Sequence, residues 1–538
     1  MPTSTVSIIV LAPLALALLG AIPSVAADRR PHLMVRMARG TTALAFGAAL
    51  IAAMAFFFAE TAGSARRLVF DGAGVGLTVY YDALSAVMSL LVSFVGMIVI
   101  GYSRNYLAGD PGQGRFIKWL CLTLAAVLTL IISGNLLQFT LAWVASSLCL
   151  HQLLIFYKQR QAARLAARKK FIASRLGDLC LIAAMVLVYS LFGSLDFATV
   201  FEAAERLRSS GSLPVSVHVL AVFLVIGAML KSAQFPFHGW LTEVMETPTP
   251  VSALLHAGII NAGGFLILRL SGVISLSVPA LEMLAVVGGF TALFGSVVML
   301  TQTSIKVSLA WSTIAQMGFM MLQCGLGAFS AAALHIVAHS LYKAHAFLSS
   351  GSVIDLSRAS WVAQPHGKPH PWRLVIALTG AVGITWAVSL AFGASLTQAP
   401  GIFALGAIMV MGVTHLVANA IDERPNAFVI ARGIGLAAGV AVAYFTLQLG
   451  AEQLMTGSLP SKQALRGPFD LAIVAAVVVL FGAVTVLQNA MPYRMSDPRW
   501  QAFYVHLFNG LYVNAITNRL VQRWWPVRPA STPKGVYP

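Results

Sequence analysis

Fifteen apolar windows of about 20 residues follow one another along the chain, and a window of that length is what crosses the hydrocarbon layer of a bilayer as one helix. They fall at about 6–27, 41–59, 82–102, 116–133, 135–157, 171–193, 215–235, 250–270, 280–300, 306–324, 328–354, 373–392, 401–420, 430–450 and 470–490. Backbone polar groups in lipid must be satisfied within the segment, so repeated spans of this kind fold as helices. The expected architecture is an all-α polytopic membrane protein with about 15 transmembrane helices. Its transmembrane domain covers 1–490, and a basic amphipathic segment, 491–538, follows. The first window resembles a secretory signal because SVAAD offers small residues for cleavage. However, MPTSTVS has no basic residue, while Arg29, Arg30, Arg36 and Arg39 follow the apolar run, so it is taken as a true span.

Charge placement orients the spans. The net charge of +17 invites a nucleic-acid reading, but basic residues on a chain that is 58% hydrophobic are explained first by membrane topology, and no nucleic-acid partner is expected. With the N-terminus outside, 25 of the 35 basic residues fall in inner segments and seven in outer ones, among them Arg269, while Arg175, Lys231 and Lys343 lie within spans. The expectation is a multi-pass protein of the bacterial cytoplasmic (inner) membrane, N-terminus periplasmic and C-terminus cytoplasmic. The inner run KQRQAARLAARKK (158–170) is a positive-inside loop or an amphipathic grip on anionic headgroups or a partner. Residues 66–81 alternate and are glycine-rich, which suits an outer β-hairpin rather than a dinucleotide fingerprint. The segment after residue 490 is an interfacial helix or a docking surface. Cys121, Cys149, Cys180 and Cys324 stand singly in apolar runs, so neither a disulfide framework nor a zinc site is expected in this chain.

Function is to be sought where ionisable groups interrupt the apolar runs. An ionisable side chain at the bilayer centre costs about 2.5–3.5 kcal/mol on insertion scales, so those that persist mark ion paths. Residues 231–270 hold Lys231, His238, Glu243, Glu246 and His256 together with Pro236, Pro248 and Pro250. Pro236 should break the helix just after Lys231, whereas Pro248 and Pro250 suit the start of the next span. That span should turn His256 and Asn261 inward and use Gly258, Gly263 and Gly264 for close packing. Glu243 and Glu246 either gather protons at the inner end or are simply solvated. In the eleventh window His335, His339 and Lys343 recur every four residues, forming one polar stripe roughly 12 Å long; His345 points off it. Histidine changes charge near neutral pH and a desolvated lysine gives up its proton more readily, so the stripe can relay protons. Arg175 and Asp178, three apart, share a helix face, where they tether helices or leave Asp178 to modulate Lys231. His415 is isolated in the thirteenth window. The shortage of buried carboxylates favours protons over Na⁺, a hard cation that asks for several oxygens.

These residues carry a family resemblance over about 80–355. The segments YDALSAVMSLL, SGNLLQFTLAW, KKFIASRLGD, KSAQFPFHGWL, PTPVSALLHAG, KVSLAWSTIAQMGFM and LHIVAHSLYKAHAFLSSGSVI resemble the antiporter-like proton-pumping subunits of respiratory complex I and multisubunit cation antiporters. That resemblance implies two inverted five-helix repeats, about 116–270 and 280–420, with broken helices in the seventh and twelfth windows. It implies further that Lys231 is the central pumping lysine, and Lys343 its counterpart reached through His335 and His339. Three features depart from the respiratory pattern. Val144 stands where a glutamate pairs with the lysine, TGAVGITWAVSLAFGASL has no ionisable residue, and no long lateral helix is expected after residue 490. LAWVASSLCLHQLLIFY, METPTPVSALLHAGIINAGGF and YVHLFNGLYVNAITNRL instead resemble the DabB family, membrane subunits of two-component dissolved-inorganic-carbon accumulating complexes.

The DabB resemblance implies a proton-conducting or cation-conducting subunit that drives hydration of CO2 to bicarbonate in a large cytoplasmic zinc partner resembling DabA, with a carbonic-anhydrase-like site. On this reading the chain is a transporter subunit rather than an enzyme and holds no cofactor itself. Two alternatives stay open: a pumping subunit of a redox complex of the complex I or hydrogenase type, and a membrane anchor that conducts nothing.

Overall fold

The computed structural model describes residues 7–58, 66–70, 77–351, 427–461, 467–490 and 496–526, with isolated helical positions between 379 and 408. Among them the helices used below are α1 (Leu11–Gly20), α2 (Pro31–Phe57), α3 (Ala83–Tyr106), α4 (Gln113–Ile132), α5 (Leu136–Leu154), α6 (Gln161–Phe192), α7 (Val215–Lys231), α8 (Thr249–Ala257) and α9 (Ala262–Arg269). They continue with α10 (Val278–Met299), α11 (Ile305–Gly325), α12 (Phe329–Leu348), α13 (Ala427–Leu454), α14 (Pro468–Ala490), α15 (Pro498–Phe508) and α16 (Val513–Trp524). Ten helices of the described residues are long and apolar enough to cross a membrane, with the 8–20 and 215–231 helices shorter. The all-helical polytopic architecture is as expected. Residues 116–270, expected to form the first repeat, lie wholly within the described residues, whereas most of windows twelve and thirteen falls outside them.

Helix ends follow local chemistry. Asp82, Asn135 and Ser277 each accept a hydrogen bond from a backbone N–H of the helix they open, satisfying groups that otherwise have no partner. Helix α1 stops ahead of Pro23, so the first window is helical over fewer residues than the sequence pattern indicates. The outer hairpin forms as expected: β1 (Arg66–Phe70) and β2 (Leu77–Tyr81) are antiparallel, with Arg66 opposite Tyr81. An amphipathic helix, Phe197–Ser210, also sits at that end of the bundle; its mixed polarity kept it out of the apolar windows. Helices α10 and α11 pack backbone against backbone. A Cβ at Gly288 would reach 2.7 Å from the Gly318 carbonyl oxygen, and one at Gly318 would come 2.7 Å from that of Gly288, so these two positions admit only glycine without a shift of backbone.

Arg269 corrects one expectation. Counted as an outer-loop cation, it lies at the end of α9 with its side chain only 2% exposed, paired with Asp82 at 2.8 and 3.2 Å and flanked by the rings of Tyr80 and Phe265. The apolar window ran to the end of the span and gave no sign that the cation turns inward. The Asp82 carboxylate also accepts from the Ser85 amide at 2.8 Å, so one buried pair ties the hairpin, α3 and α9. Removing one member of such a pair leaves the other charge buried and alone, at a cost of about 3–5 kcal/mol. Arg269→Ala is therefore expected to lower the unfolding midpoint of the detergent-solubilised protein markedly. An unchanged melt would refute the tie.

Candidate functional site

Helix α7 ends on Lys231 itself. Ala233, with φ +51°, takes the left-handed region, the Phe235–Pro236 peptide is cis, and the chain becomes helical again only at Gly239–Glu243. Proline supplies no N–H to continue the ladder, so the break expected at Pro236 is present. It leaves the lysine at a helix C-terminus, the end that favours a cation. The Lys231 side chain is buried, its Nζ 3.4 Å from both the Trp143 carbonyl oxygen and Ser146 Oγ, and 4.4 Å from the centroid of the Trp143 ring. Trp143 and Ser146 share a face of α5 because they are three apart. The Trp143 indole N–H donates to Asp178 Oδ1 at 3.0 Å, and Asp178 Oδ2 lies 2.7 Å from Arg175.

Asp178 and Arg175 thus pair as their spacing indicates, while Asp178 meets Lys231 through the indole and not in a direct ion pair. Val144 packs against the apolar core. Its neighbour Trp143 turns its ring to Lys231 instead, and the face of an indole attracts a desolvated cation. Lys170 joins from the side: its Nζ donates to the Ser147 carbonyl at 2.7 Å and to Ser147 Oγ at 2.8 Å, and Arg175 is 3.5 Å from the same hydroxyl. The loop reading of 158–170 needs correction, because α6 begins at Gln161 and Lys169 and Lys170 are buried. Trp143, Ser146, Ser147 and Lys170 were not picked out from the sequence. The one signal was the serine pair inside LAWVASSLCL, polar in an otherwise apolar run.

Beyond the break lies the end of the bundle that carries most basic residues. Lys169 Nζ is 2.6 Å from Glu243 Oε2, and the amides of Asn514 and Asn518 each donate to Glu243 Oε1 at 2.7 Å. Four residues apart, those asparagines share the polar face of α16, which therefore caps the break. The cap is extended by Arg168, which lies over the Trp525 ring, and by Tyr504, whose hydroxyl donates to the Thr301 carbonyl at 2.9 Å. Glu246 pairs with Arg160 at 3.4 Å, both half-exposed, so the two glutamates differ: one is clamped, the other solvated. His238 is fully buried among Phe235, Phe294 and Trp311.

The second cluster surrounds Lys343. Its side chain is fully buried on α12 and Nζ donates to the Leu309 carbonyl at 3.0 Å. The His335 and His339 rings lie 6.0 Å apart at 24°, so the stripe is continuous, and His345 is exposed off it. His256 joins this cluster, its Nδ1 2.9 Å from Thr313 Oγ1 and its ring stacked 4.4 Å from Phe347. Pro248 caps the start of α8 and Pro250 lies in its first turn, as expected. Gly258 does more than pack: at φ −127°, ψ −67° it interrupts the span between α8 and the turn Ile259–Asn261. That second break frees the Ile260 carbonyl, which accepts from Ser232 Oγ at 2.8 Å, while the Asn261 amide donates to Ser340 Oγ at 2.8 Å. The residue following Lys231 is thereby joined to the helix that bears Lys343. Gly263 and Gly264 pack as expected, since a Cβ at either would overlap Ser232 and Ala228 or Met320. Among the described residues six buried imidazole nitrogens, both of His238, Nδ1 of His151 and Nε2 of His256, His335 and His339, have no hydrogen-bond partner. His415 lies outside the described residues.

Comparison with known proteins identifies the family. Residues 133–362 match the family model described as NADH:quinone oxidoreductase/Mrp antiporter, TM, and residues 69–117 match that of the N-terminus of chain 5 of complex I. The chain is 41% identical over 504 residues to a protein of Halothiobacillus neapolitanus named "Probable inorganic carbon transporter subunit DabB2", covering 92% of this chain and 89% of that protein. It is 36% identical to a DabB subunit of Hydrogenovibrio crunogenus over 86% of this chain and 85% of the relative. Among solved structures, the Mrp complex from Dietzia sp. DQ12-45-1b superposes with a TM-score of 0.65 at 23% identity, over 96% of this chain and 59% of that one, so this chain spans about three fifths of its length. With broken helices, buried lysines and near-full-length relatives in agreement, the chain belongs to the DabB family of inorganic carbon transporter subunits, within the antiporter-like membrane proteins.

Proposed function

We propose that this chain is the proton-conducting, energy-coupling membrane subunit of a complex that accumulates inorganic carbon as bicarbonate. The observation that carries the reading is the series of buried ionisable groups joined across two helix breaks: Arg175, Asp178, Trp143 and Lys231 on one side, then Ser232, Ile260, Asn261 and Ser340, then Lys343, His339, His335 and His256 on the other. Buried polar groups are normally paired with protein or water, so imidazoles with unpaired nitrogens are suited to a water-borne proton relay. Lysine ammonium and imidazole pass protons, whereas neither ligates Na⁺. Lys231 and Lys343 hold the proton in the two halves, one half per five-helix repeat. Asp178, held by Arg175, sets the field at Lys231, and His238 extends the path beyond the break.

On this proposal the basic end faces the bacterial cytoplasm, and α15 and α16 seat a large soluble zinc subunit resembling DabA, in which the carbon chemistry takes place. The names of the relatives favour inorganic carbon as the accumulated species. Affinity purification of the chain from its own host is expected to bring down a zinc-containing soluble protein, and a protonophore to abolish inorganic-carbon accumulation. Accumulation that survives the protonophore but fails with a sodium ionophore would assign the current to Na⁺. Absence of any zinc protein would refute the two-component reading.

A further inference from the structure

We propose that the basic end of the bundle holds the headgroup of an anionic phospholipid in the cleft between α2 and α3. This cleft has a volume of about 990 Å³ and is walled by Arg36 and Arg39 of α2 and by Arg104 of α3. The two helices run antiparallel, so the start of α2 meets the end of α3 and the three guanidinium groups share one end of the cleft. Further along lie Gly40 on α2, and Ile98 and Gly101 on α3. From Arg104 to Ile98 is about 9 Å along the helix, so a cationic mouth leads into an apolar floor over the distance that separates a phosphate from the first carbons of an acyl chain.

Two features set these arginines apart from cations placed only by topology. Among the described residues none of the three is paired with a carboxylate. Asp28, which precedes α2, accepts from the Arg115 amide at 2.6 Å, and Asp110, which follows α3, accepts from the Gly112 amide at 2.8 Å and the Tyr157 hydroxyl at 3.2 Å. The floor, moreover, is open. A Cβ built at Gly40 or at Gly101 meets no atom within 4 Å, so neither glycine is there to let helices touch. Clustered basic side chains between transmembrane helices are the chemistry that recognises anionic headgroups. A diacyl phosphodiester fits both parts of the cleft, whereas inorganic phosphate would use the arginines alone.

Native mass spectrometry of the detergent-purified full chain, with added phosphatidylglycerol or phosphatidylcholine, tests this. The wild type should retain phosphatidylglycerol at least about tenfold better than phosphatidylcholine, and the Arg36→Gln/Arg39→Gln/Arg104→Gln variant should lose that preference. Gly40→Leu fills the floor and leaves every charge in place, so it should also reduce retention with an unchanged melting temperature; it serves as the test even where the triple variant fails to fold. Undiminished phosphatidylglycerol retention in Gly40→Leu would overturn the proposal. So would full displacement of the lipid by inorganic phosphate, which would assign the arginines to a free anion.

Discussion

Lys231→Ala is expected to reduce proton flux by about two orders of magnitude, the scale on which a positioned proton-transfer group acts, with little change in stability. Deleting one member of a buried ion pair is costly because the partner is stranded. Lys231 strands nothing: its neighbours are a carbonyl, a hydroxyl and the face of Trp143, and Asp178 is already neutralised by Arg175. Flux and melting temperature should therefore separate. Lys231→Arg sharpens the test, since a guanidinium keeps the charge but does not release its proton in a protein. If the site needs only a cation, arginine restores flux; if it needs a proton that comes and goes, arginine fails as alanine does. Asp178→Asn, which removes the charge held against the indole, should lower flux as well. The measurement is acidification of proteoliposomes carrying a pH-sensitive dye, with carbon accumulation by the assembled complex alongside. Full activity of Lys231→Ala in that complex would support a non-conducting anchor and sink the proton path.

Much of this site was legible because lipid makes the rules strict. A lysine and a proline in an apolar run announce a broken helix, and a period of four places His335, His339 and Lys343 on one face whatever surrounds them. What escaped the sequence depends on tertiary neighbours. That the Trp143 ring lies against Lys231 depends on a contact between two helices far apart in sequence, and nothing in LAWVASS distinguishes that tryptophan from a core residue. Lys169 and Lys170 look like loop cations because the apolar window begins after them, yet α6 starts earlier and carries both inward. Gly258 reads as a packing glycine, and only its dihedrals show a second break. The C-terminal segment has the composition of an interfacial helix. Its docking through Asn514 and Asn518 rests on two neutral amides that no charge or hydropathy count weighs.

The second large effect is expected at Lys343, and it tests how the two clusters are connected. Lys343→Met keeps the length and most of the volume of the side chain and removes only the ionisable group. Among the described residues no carboxylate pairs with Lys343, and its Nζ donates to a single carbonyl. A buried charge replaced by a well-packed apolar residue is often neutral or stabilising, so the melting temperature should hold or rise. Flux should nonetheless fall to the level of Lys231→Ala, a combination that a merely structural lysine cannot produce. The Lys231→Ala/Lys343→Met double variant then decides between series and parallel paths. Groups that act as one unit are non-additive: if protons pass both lysines in turn through the Ser232–Ile260 and Asn261–Ser340 links, the double variant is no worse than either single one. If each cluster conducts independently across the membrane, each single variant keeps about half the flux and only the double variant loses it. Asn261→Ala, which removes the hydrogen bond to Ser340 and leaves both lysines in place, should slow the series path and leave parallel ones untouched.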